Sequence, residues 1–355
     1  MWNRRFRLFL AAACGAAIQY LCSMTQKIRW GVLGVAKIAT VKVIPAMQRG
    51  ALTEISAIAS RDLGKAQQAA TSLGIPKAYG SYEALIADPD IDAIYNPLPN
   101  HLHVPWSIRA AEAGKHVLCE KPIALTIEET KELIAARDRT GVKMGEAFMV
   151  HVHPQWLRTL EIVRSGEIGE LRAFNCVFSY NNRDPRNIRN LPELGGGAIM
   201  DIGCYPIHIS RWTFGEEPRR VCALIDRDPS FGTDRLTSAI LDYPSGQAVF
   251  TCSTQMTPYQ RMTFFGTEGR VEVEIPVNAP PDQETRIFVQ TAQLRTETFP
   301  VCDQYTLQGD AFSRAILGES PVPVSLEDAL RNMSVIDALF RSVRLDSWAT
   351  PVLYA

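Results

Sequence analysis

The run Ile28-Arg29-Trp30-Gly31-Val32-Leu33-Gly34-Val35-Ala36 decides the first part of the fold. Residues 28–33 form an apolar segment of strand length, and residues 37–47 follow with a helical pattern. Gly31, Gly34 and Ala36 have the Gly-x-x-Gly-x-Ala spacing of a dinucleotide-binding turn. In such a turn the second glycine lets the backbone approach a pyrophosphate, and the alanine keeps the helix close to the strand. The amides at the start of the helix, near Lys37 and Ile38, are free to bind phosphate groups.

The second predicted strand, Glu54 to Ala59, ends in Ser60-Arg61-Asp62. In a dinucleotide-binding fold this strand end faces the adenosine ribose, where an acidic residue would bind the 2′-hydroxyl group of NAD. Ser60 and Arg61 instead offer a hydroxyl and a guanidinium group, which suit a 2′-phosphate, and Lys65 adds a second cation. Asp62 comes one place late and is expected to begin the next helix. The sequence therefore favours NADP, and use of NAD as well stays open.

A further buried strand, Ile91 to Tyr95, leads into Asn96-Pro97-Leu98-Pro99-Asn100-His101-Leu102-His103. Two prolines stiffen this loop, and Asn100 is predicted to cap the helix from about Leu102 to Ala113. His101 and His103 are two positions apart and do not share a helix face. Because no carboxylate cluster accompanies them, no metal site is predicted.

The run Gly114-Lys115-His116-Val117-Leu118-Cys119-Glu120-Lys121-Pro122 brings a carboxylate and an amine to the end of a short apolar strand. Open α/β sheets form their ligand crevices at strand ends, so Glu120 and Lys121 are candidates for a site. The alternative is a solvated ion pair before a helix. A helix (Thr126 to Thr140) and a strand (Lys143 to Ala147) follow. Strands that alternate with helices predict a doubly wound parallel sheet, a Rossmann fold.

The second half of the chain has a different pattern. Strand-like runs follow one another, separated by turns, at Ala173 to Tyr180, Arg220 to Ile225, Thr237 to Asp242, Ala248 to Cys252, Arg261 to Phe265 and Arg270 to Ile275. They predict an α+β domain with a large, mostly antiparallel open sheet. One strongly amphipathic helix begins at Ser325. Since a single helix leaves much of such a sheet uncovered, we expect the sheet to pair with another subunit, in a homodimer or homotetramer.

Between the first two of these runs lies a glycine triplet, Gly195-Gly196-Gly197, which permits close approach of the backbone to another group. On the helix that follows, Asp201, Tyr205 and His208 stand at i, i+4 and i+7, so one face is predicted to carry all three. For His208, a buried core histidine is an equally good interpretation. Burying three polar groups on one face without a purpose is costly, which favours a site at Asp201 and Tyr205.

Composition excludes several classes of protein. The chain has 355 residues, a net charge of -1, and 21% charged and 46% hydrophobic residues, as in ordinary globular proteins. Lysine and arginine are scattered and form no basic stripe, which argues against nucleic-acid binding. Eight cysteines without a CxxC pair predict buried thiols in a reducing compartment.

The N-terminus is ambiguous. Arg4, Arg5 and Arg7 precede an apolar run, as in an export signal, but the run is too short to span a membrane. We favour a start at Met24, with residues 1–23 an over-extended reading frame and a cytoplasmic location; the alternative is export to the periplasm. Residues 1–26 are thus interpreted as an extension, 27–147 as the dinucleotide-binding domain, and 148–355 as the domain for substrate binding and oligomerisation.

Several motifs resemble one oxidoreductase family. They are the Gly31–Ala39 turn, Asn100-His101-Leu102-His103, Gly114 to Pro122, Glu146-Ala147-Phe148-Met149 with His153-Pro154, and Gly195 to Pro206. In this order they are similar to the glucose-fructose oxidoreductase, inositol dehydrogenase and rhizopine-catabolism family, over about residues 28 to 352. Within it, Tyr205 in place of a histidine resembles the branch with D-xylose dehydrogenase and dimeric dihydrodiol dehydrogenase.

The resemblance implies a function and a set of site residues. Lys121 would lie between nicotinamide and substrate, Asp201 would bind a substrate hydroxyl and hold the lysine, and Tyr205 would take the proton. A nearby ammonium is expected to lower the pKa of Tyr205. His208 is a further candidate for substrate binding. The expected cofactor-binding residues are Gly31, Gly34, Ala36, Lys37, Ile38, Ser60, Arg61, Lys65, Asn96, Leu98, Asn100, His101, Glu120 and Lys121.

The function expected from these features is an NADP-dependent aldose 1-dehydrogenase that converts a D-xylose-like sugar to a lactone. Alternatives within the family are a trans-1,2-dihydrodiol dehydrogenase and a glucose-fructose oxidoreductase-like enzyme. An alternative of another class is a non-catalytic NADP-sensing protein, which the presence of Lys121, Asp201 and Tyr205 disfavours. In each case the expected partner is a small polyol or sugar, without nucleic acid or membrane.

Overall fold

The computed structural model describes residues 26–353. Its first sheet has six strands, all parallel, in the order β3-β2-β1-β4-β5-β6. The strands are β1 (Ile28–Leu33), β2 (Thr53–Ala59), β3 (Lys77–Tyr79), β4 (Ala93–Asn96), β5 (His116–Cys119) and β6 (Met144–Glu146). This is the doubly wound order of a Rossmann fold, as predicted. The order reverses between β1 and β4, which is where such sheets bind ligands.

Helices join these strands and cover both faces of the sheet. They are α1 (residues 37–47), α2 (Leu63–Leu73), α3 (Tyr82–Ile86), α4 (His103–Glu112) and α5 (Ile127–Thr140). The middle of α1, Ala39–Val43, is π-helical. Asp62 caps α2 by accepting a hydrogen bond from the Lys65 amide at 3.2 Å, as the sequence predicts.

The second sheet has eight strands in the order β14-β13-β12-β11-β7-β10-β9-β8. They are β7 (Leu171–Asn181), β8 (Arg220–Arg227), β9 (Asp234–Asp242), β10 (Gln247–Ser253), β11 (Gln255–Gly266), β12 (Arg270–Val273), β13 (Thr285–Gln290) and β14 (Leu294–Phe299). Only β7 and β10 pair in parallel; the other neighbours are antiparallel. The predicted large, mostly antiparallel sheet is confirmed.

One face of this sheet packs against helices and holds the second core, with Trp156, Phe174 and Phe264 fully buried. The helices of this part of the chain are α6 (Pro154–Arg164), α7 (residues 198–214), α8 (Gln304–Ile316) and α9 (Leu326–Leu345). Ser325 caps α9, as predicted. The opposite sheet face exposes apolar side chains such as Leu224, which is 79% accessible.

Some local predictions are wrong. Asn100 does not cap α4: it lies in a short 3-10 turn, and its side chain donates to the Gly195 carbonyl at 3.0 Å instead. Strands β3, β13 and β14 were not predicted, because they are short or alternate with charged residues.

Six of the cysteines are free thiols, four of them buried, whereas Cys14 and Cys22 lie outside the described residues. The predicted N-terminal signal or over-extended start also lies outside them. Between residues 26 and 353, no helix is long and apolar enough to cross a membrane.

Candidate active site

The glycine turn after β1 forms one end of a long cavity of about 950 Å³. Gly34 has φ +82°, which favours glycine, and a Cβ there would meet Leu98 Cδ2 at 2.9 Å. Its amide donates to the Ala59 carbonyl at 2.7 Å, which ties the turn to the end of β2. The turn and the start of α1 therefore both line the cavity, which is the arrangement by which helix N-termini bind phosphate groups.

The end of β2 supplies the polar groups at the same end of the cavity. Ser60, Arg61 and Lys65 all line it, whereas Asp62 does not, because its carboxylate caps α2. The Arg61 guanidinium is close to the Tyr82 hydroxyl; burial raises the pKa of that phenol, and the arginine opposes the shift. Among residues 26–353, no carboxylate lines this end of the cavity.

The loop after β4 forms the floor of the middle part. Leu98 and Asn100 line the cavity, together with His103, which the sequence analysis did not select. The two ring nitrogens of His103 lie 2.8 Å from the Pro122 carbonyl and 2.7 Å from the Leu98 carbonyl. Since both nitrogens are engaged, His103 connects this loop to the Lys121 turn. Within residues 26–353, no three His, Cys, Asp or Glu side chains cluster as a metal site would require.

Three residues expected at the cofactor do not line the cavity: Gly31, Asn96 and His101. Gly31 serves packing, because a Cβ there would meet Leu85 Cδ2 at 2.5 Å. Asn96 is fully buried and shapes the loop, since its side chain donates to His103 O and Ser107 Oγ and accepts from the Leu98 amide. Gly31 and Asn96 therefore influence the shape of the cavity only through the backbone that they support.

Lys121 reaches from the end of β5 to the start of α7. Its Nζ donates to the Asp201 carbonyl at 2.6 Å and to Asp201 Oδ1 at 3.4 Å. Burial alone would lower the pKa of Lys121, but the Asp201 carboxylate opposes this and raises it above its ordinary value. Glu120, beside it, accepts from the Tyr95 hydroxyl at 2.7 Å, and burial raises its pKa. The lysine is therefore an ammonium held in a fixed position.

Asp201 is the centre of the polar network. Besides Lys121, it accepts hydrogen bonds at Oδ2 from Tyr180 Oη at 2.6 Å and Arg189 Nε at 2.8 Å. Burial alone would raise the pKa of Asp201, but the charges of Arg189 and Lys121 lower it below its ordinary range. An ionised carboxylate thus links three side chains from separate segments. The sequence analysis missed Tyr180 and Arg189.

Tyr205 lies beneath the lysine. The Lys121 Nζ stands over the phenol ring, 5.1 Å from its centroid, and the hydroxyl contacts Met149 Sδ at 3.5 Å. Burial raises the pKa of Tyr205 well above its ordinary value. The expected lowering of this pKa is therefore wrong, because the ammonium faces the ring and not the oxygen. Tyr205 therefore retains its proton, as a general acid must before it can donate one.

His208 stands three residues after Tyr205 on the regular part of α7, and Phe148 contacts both rings. Unlike Asp201 and Tyr205, His208 does not line the cavity, so its predicted role in substrate binding has no support here. His208 is 1% accessible, stacks on Phe148 with ring centroids 4.1 Å apart, and lies outside the cavity. Its ring nitrogens lie 2.5 Å from His151 Nε2 and 3.0 Å from Asp328 Oδ2. This position supports the alternative of a buried core histidine.

The structure thus brings most of the predicted residues into one cavity, including Ala36, Lys37 and Ile38 at the glycine turn and Lys121, Asp201 and Tyr205 at the other end. Sequence reasoning missed several polar and aromatic lining residues, among them Tyr82, Tyr180, Asn181, Asn182, Asn187, Arg189, Asn278 and Tyr305. The sequence contained a clue to three of these residues, Asn182, Asn187 and Arg189, because several asparagines and arginines follow one another directly after β7.

Comparison with known proteins agrees with this cavity. Residues 28–148 match an oxidoreductase family with an NAD-binding Rossmann fold, and residues 156–272 match the GFO/IDH/MocA C-terminal domain. Fold and cavity therefore define a nicotinamide-dependent oxidoreductase. The chain belongs to the Gfo/Idh/MocA family, which is the glucose-fructose oxidoreductase, inositol dehydrogenase and rhizopine-catabolism family that the sequence motifs resemble. The resemblance is therefore confirmed.

Three relatives show how far the similarity extends. An uncharacterised oxidoreductase of Rhizobium meliloti is 49% identical over 330 residues, which cover 91% of this chain and 99% of that protein. The D-xylose 1-dehydrogenase (NADP(+)) 2 of Haloferax volcanii is 40% identical, over 88% of this chain and 96% of that protein. A 3-ketoreductase from Actinomadura kijaniata, solved with NADP and TDP-benzene, is 32% identical with a TM-score of 0.84 and covers 89% of this chain and 98% of its own.

Proposed function

We propose that this chain is an NADP-dependent sugar dehydrogenase that oxidises an aldose at C1. The observation that supports this function best is the shape of the cavity. It begins at the Gly34 turn and ends where Lys121, Asp201 and Tyr205 meet. A dinucleotide in the groove would bring its nicotinamide end to these side chains. NADP is favoured because Ser60 and Arg61 line the ribose end without a carboxylate.

Lys121 is proposed to bind the reacting oxygen. An ammonium has three N–H groups, and two of them point to Asp201. The third is free to donate to the substrate oxygen, while Asp201 keeps the lysine in place. The bound nicotinamide supplies or accepts the hydride. Lys121 and Tyr205 then stabilise the charge that develops on the oxygen and exchange its proton, which contributes roughly 10²–10⁴-fold in rate.

A second candidate is a different hydride transfer, the reduction of a ketosugar to an alcohol with NADPH. One specific observation favours it: Lys121 and Tyr205 are both protonated, because the pKa of each is raised. Two positioned proton donors suit the reduction of a carbonyl group. Oxidation requires one of them to lose its proton first, so its rate should rise with pH, whereas the rate of reduction should fall.

The pairing of the lysine with the tyrosine has support from a relative. The solved structures of the Actinomadura kijaniata 3-ketoreductase include variants in which one lysine or one tyrosine is replaced, and those two residues lie 84 positions apart. Lys121 and Tyr205 are separated by the same 84 positions. We infer that they have corresponding places in the two chains.

The test is a substrate panel. The purified chain is incubated with NADP or NAD and a set of aldoses, inositols and dihydrodiols, and with NADPH and ketosugars, and the reduced nicotinamide is followed by absorbance. We expect turnover of an aldose with NADP, and its loss in Lys121→Met. Tight NADP binding without turnover of any compound would favour the non-catalytic sensor instead.

A further inference from the structure

Arg189 is a cation in the cavity whose hydrogen-bonding capacity is only partly used. Its Nε donates to Asp201 Oδ2 at 2.8 Å, and its side chain is 40% accessible. Within residues 26–353, neither of its terminal nitrogens, Nη1 and Nη2, has a hydrogen-bond partner. These nitrogens carry four N–H groups at the substrate end of the cavity.

Some arginines of this chain bind a carboxylate through two nitrogens, and others through Nε alone. Arg211 holds Glu217 with two nitrogens, Nε at 2.6 Å and Nη2 at 2.8 Å. Arg286 holds Glu274 in the same way, at 2.8 and 2.9 Å. Arg189 uses Nε alone toward Asp201. Arg220 and Arg235 likewise use Nε alone toward a carboxylate, but neither lines the cavity. What distinguishes Arg189 is that its unused nitrogens belong to a residue of the cavity lining, where they are available to a ligand.

The fold holds Arg189 at this place through the glycine triplet. The Gly197 amide donates to the Arg189 carbonyl at 2.9 Å, and a Cβ on Gly196 would meet the same carbonyl oxygen at 2.5 Å. Asn187 accepts a hydrogen bond from the Arg189 amide at 3.1 Å. The glycine triplet therefore allows the short turn at residues 188–190, which carries Arg189, to lie close to the start of α7.

The charges around Arg189 favour an anion. The acidic residues that line the cavity are Glu120 and Asp201, and both already have partners. Apart from Lys121, which Asp201 holds, the other cations of the lining belong to the end with the glycine turn; they are Lys37, Lys42, Arg61 and Lys65.

We propose that the sugar substrate carries an anionic group, a carboxylate or a phosphoryl group, and that Arg189 binds it through Nη1 and Nη2. This inference rests on the proposed sugar oxidoreductase function. A guanidinium edge matches two oxygens of either group and binds them with a fixed orientation. The amides of Asn181, Asn182 and Asn187 line the same wall and are suited to sugar hydroxyls. The anion would then fix which sugar carbon faces Lys121.

The test compares a neutral aldose with its uronate and its 6-phosphate, in the wild type and in Arg189→Gln, Arg189→Lys and Arg186→Gln. Arg186 is the matched control, because its side chain is 90% accessible and pairs with Asp184 on the surface. We expect the wild type to prefer one of the charged sugars, and which one it prefers identifies the anion. Arg189→Gln should raise the KM of that sugar about 10- to 100-fold more than that of the neutral aldose. Arg189→Lys should restore part of the preference, and Arg186→Gln should retain it.

Two results would overturn the inference alone. One is a wild type that prefers the neutral aldose. The other is an equal loss of kcat/KM for neutral and charged sugars in Arg189→Gln, which would reduce Arg189 to a support for Asp201. If the wild type turns over no sugar with either cofactor, the proposed function itself is wrong, and the inference fails with it.

Discussion

Replacing Asp201 with Asn removes the carboxylate that lies between two cations of the site. The Lys121 and Asp201 side chains are each only 12% accessible, so water screens their interaction weakly. Removing one partner of such a pair leaves a buried ammonium without a counter-charge, which costs about 3–5 kcal/mol. Asparagine retains the shape and can still accept a hydrogen bond from Tyr180. We therefore expect Asp201→Asn to lower the free energy of unfolding by about 3 kcal/mol at pH 7.

The matched control is Asp226→Asn. Asp226 pairs with Arg235 at 2.8 Å, but the two side chains are 51% and 35% accessible. Exposed pairs of this kind contribute about 0–1 kcal/mol. Urea unfolding at pH 7, followed by fluorescence, measures both variants against the wild type. If Asp201→Asn loses no more stability than Asp226→Asn, the buried network does not stabilise the fold in the way described.

The sign of the pH dependence provides a second check on the same variant. The folded-state pKa of Asp201 is lowered, so its contribution to stability is present above the ordinary aspartate pKa of about 3.9 and is lost as the pH falls below it. The difference in stability between wild type and Asp201→Asn should therefore shrink on acidification through this range. A difference that stays constant would contradict the assignment of its origin to the carboxylate charge.

Three further predictions follow from other parts of the molecule. Arg61→Ala should raise the KM for NADP about tenfold or more and leave NAD kinetics almost unchanged, because a charged hydrogen bond to the 2′-phosphate is lost; equal losses with both cofactors would refute this role. Lys121→Met and Tyr205→Phe should each remove most of kcat while NADP still binds, and the double variant should be little worse than either, since the losses within a catalytic unit are not additive. Strictly additive losses would mean that the two residues act independently. The outer face of the second sheet exposes Leu224 and, at 41% accessibility each, Ile240 and Val249, which pair directly across neighbouring strands. We expect this face to join subunits, and a monomer in sedimentation at micromolar concentration would contradict that.

The sequence by itself determined the two sheets and the turn between β1 and α1. Alternating polar and apolar residues and continuous apolar runs are local patterns, because they follow from the periodicity of a strand or a helix. The backbone of the glycine turn likewise depends only on neighbouring residues. The strand Ile28–Leu33 and the cap of α2 by Asp62 therefore agree with the sequence. The short strand Lys77–Tyr79 has too few residues to carry a period, and its pairing with β2 defines it.

Only the tertiary structure decided which polar side chains meet. Lys121 and Asp201 are 80 positions apart, and their contact depends on how the carboxyl end of β5 lies against the start of α7. The contact between Arg189 and Asp201 depends on how the glycine triplet folds the turn at residues 188–190 against the helix. His208 packs against Phe148 and His151 outside the cavity, although the helical spacing from Asp201 predicts it at the site. Burial likewise sets the pKa of Tyr205, since the environment of the phenol oxygen is formed by residues distant in the sequence, and no local pattern encodes it.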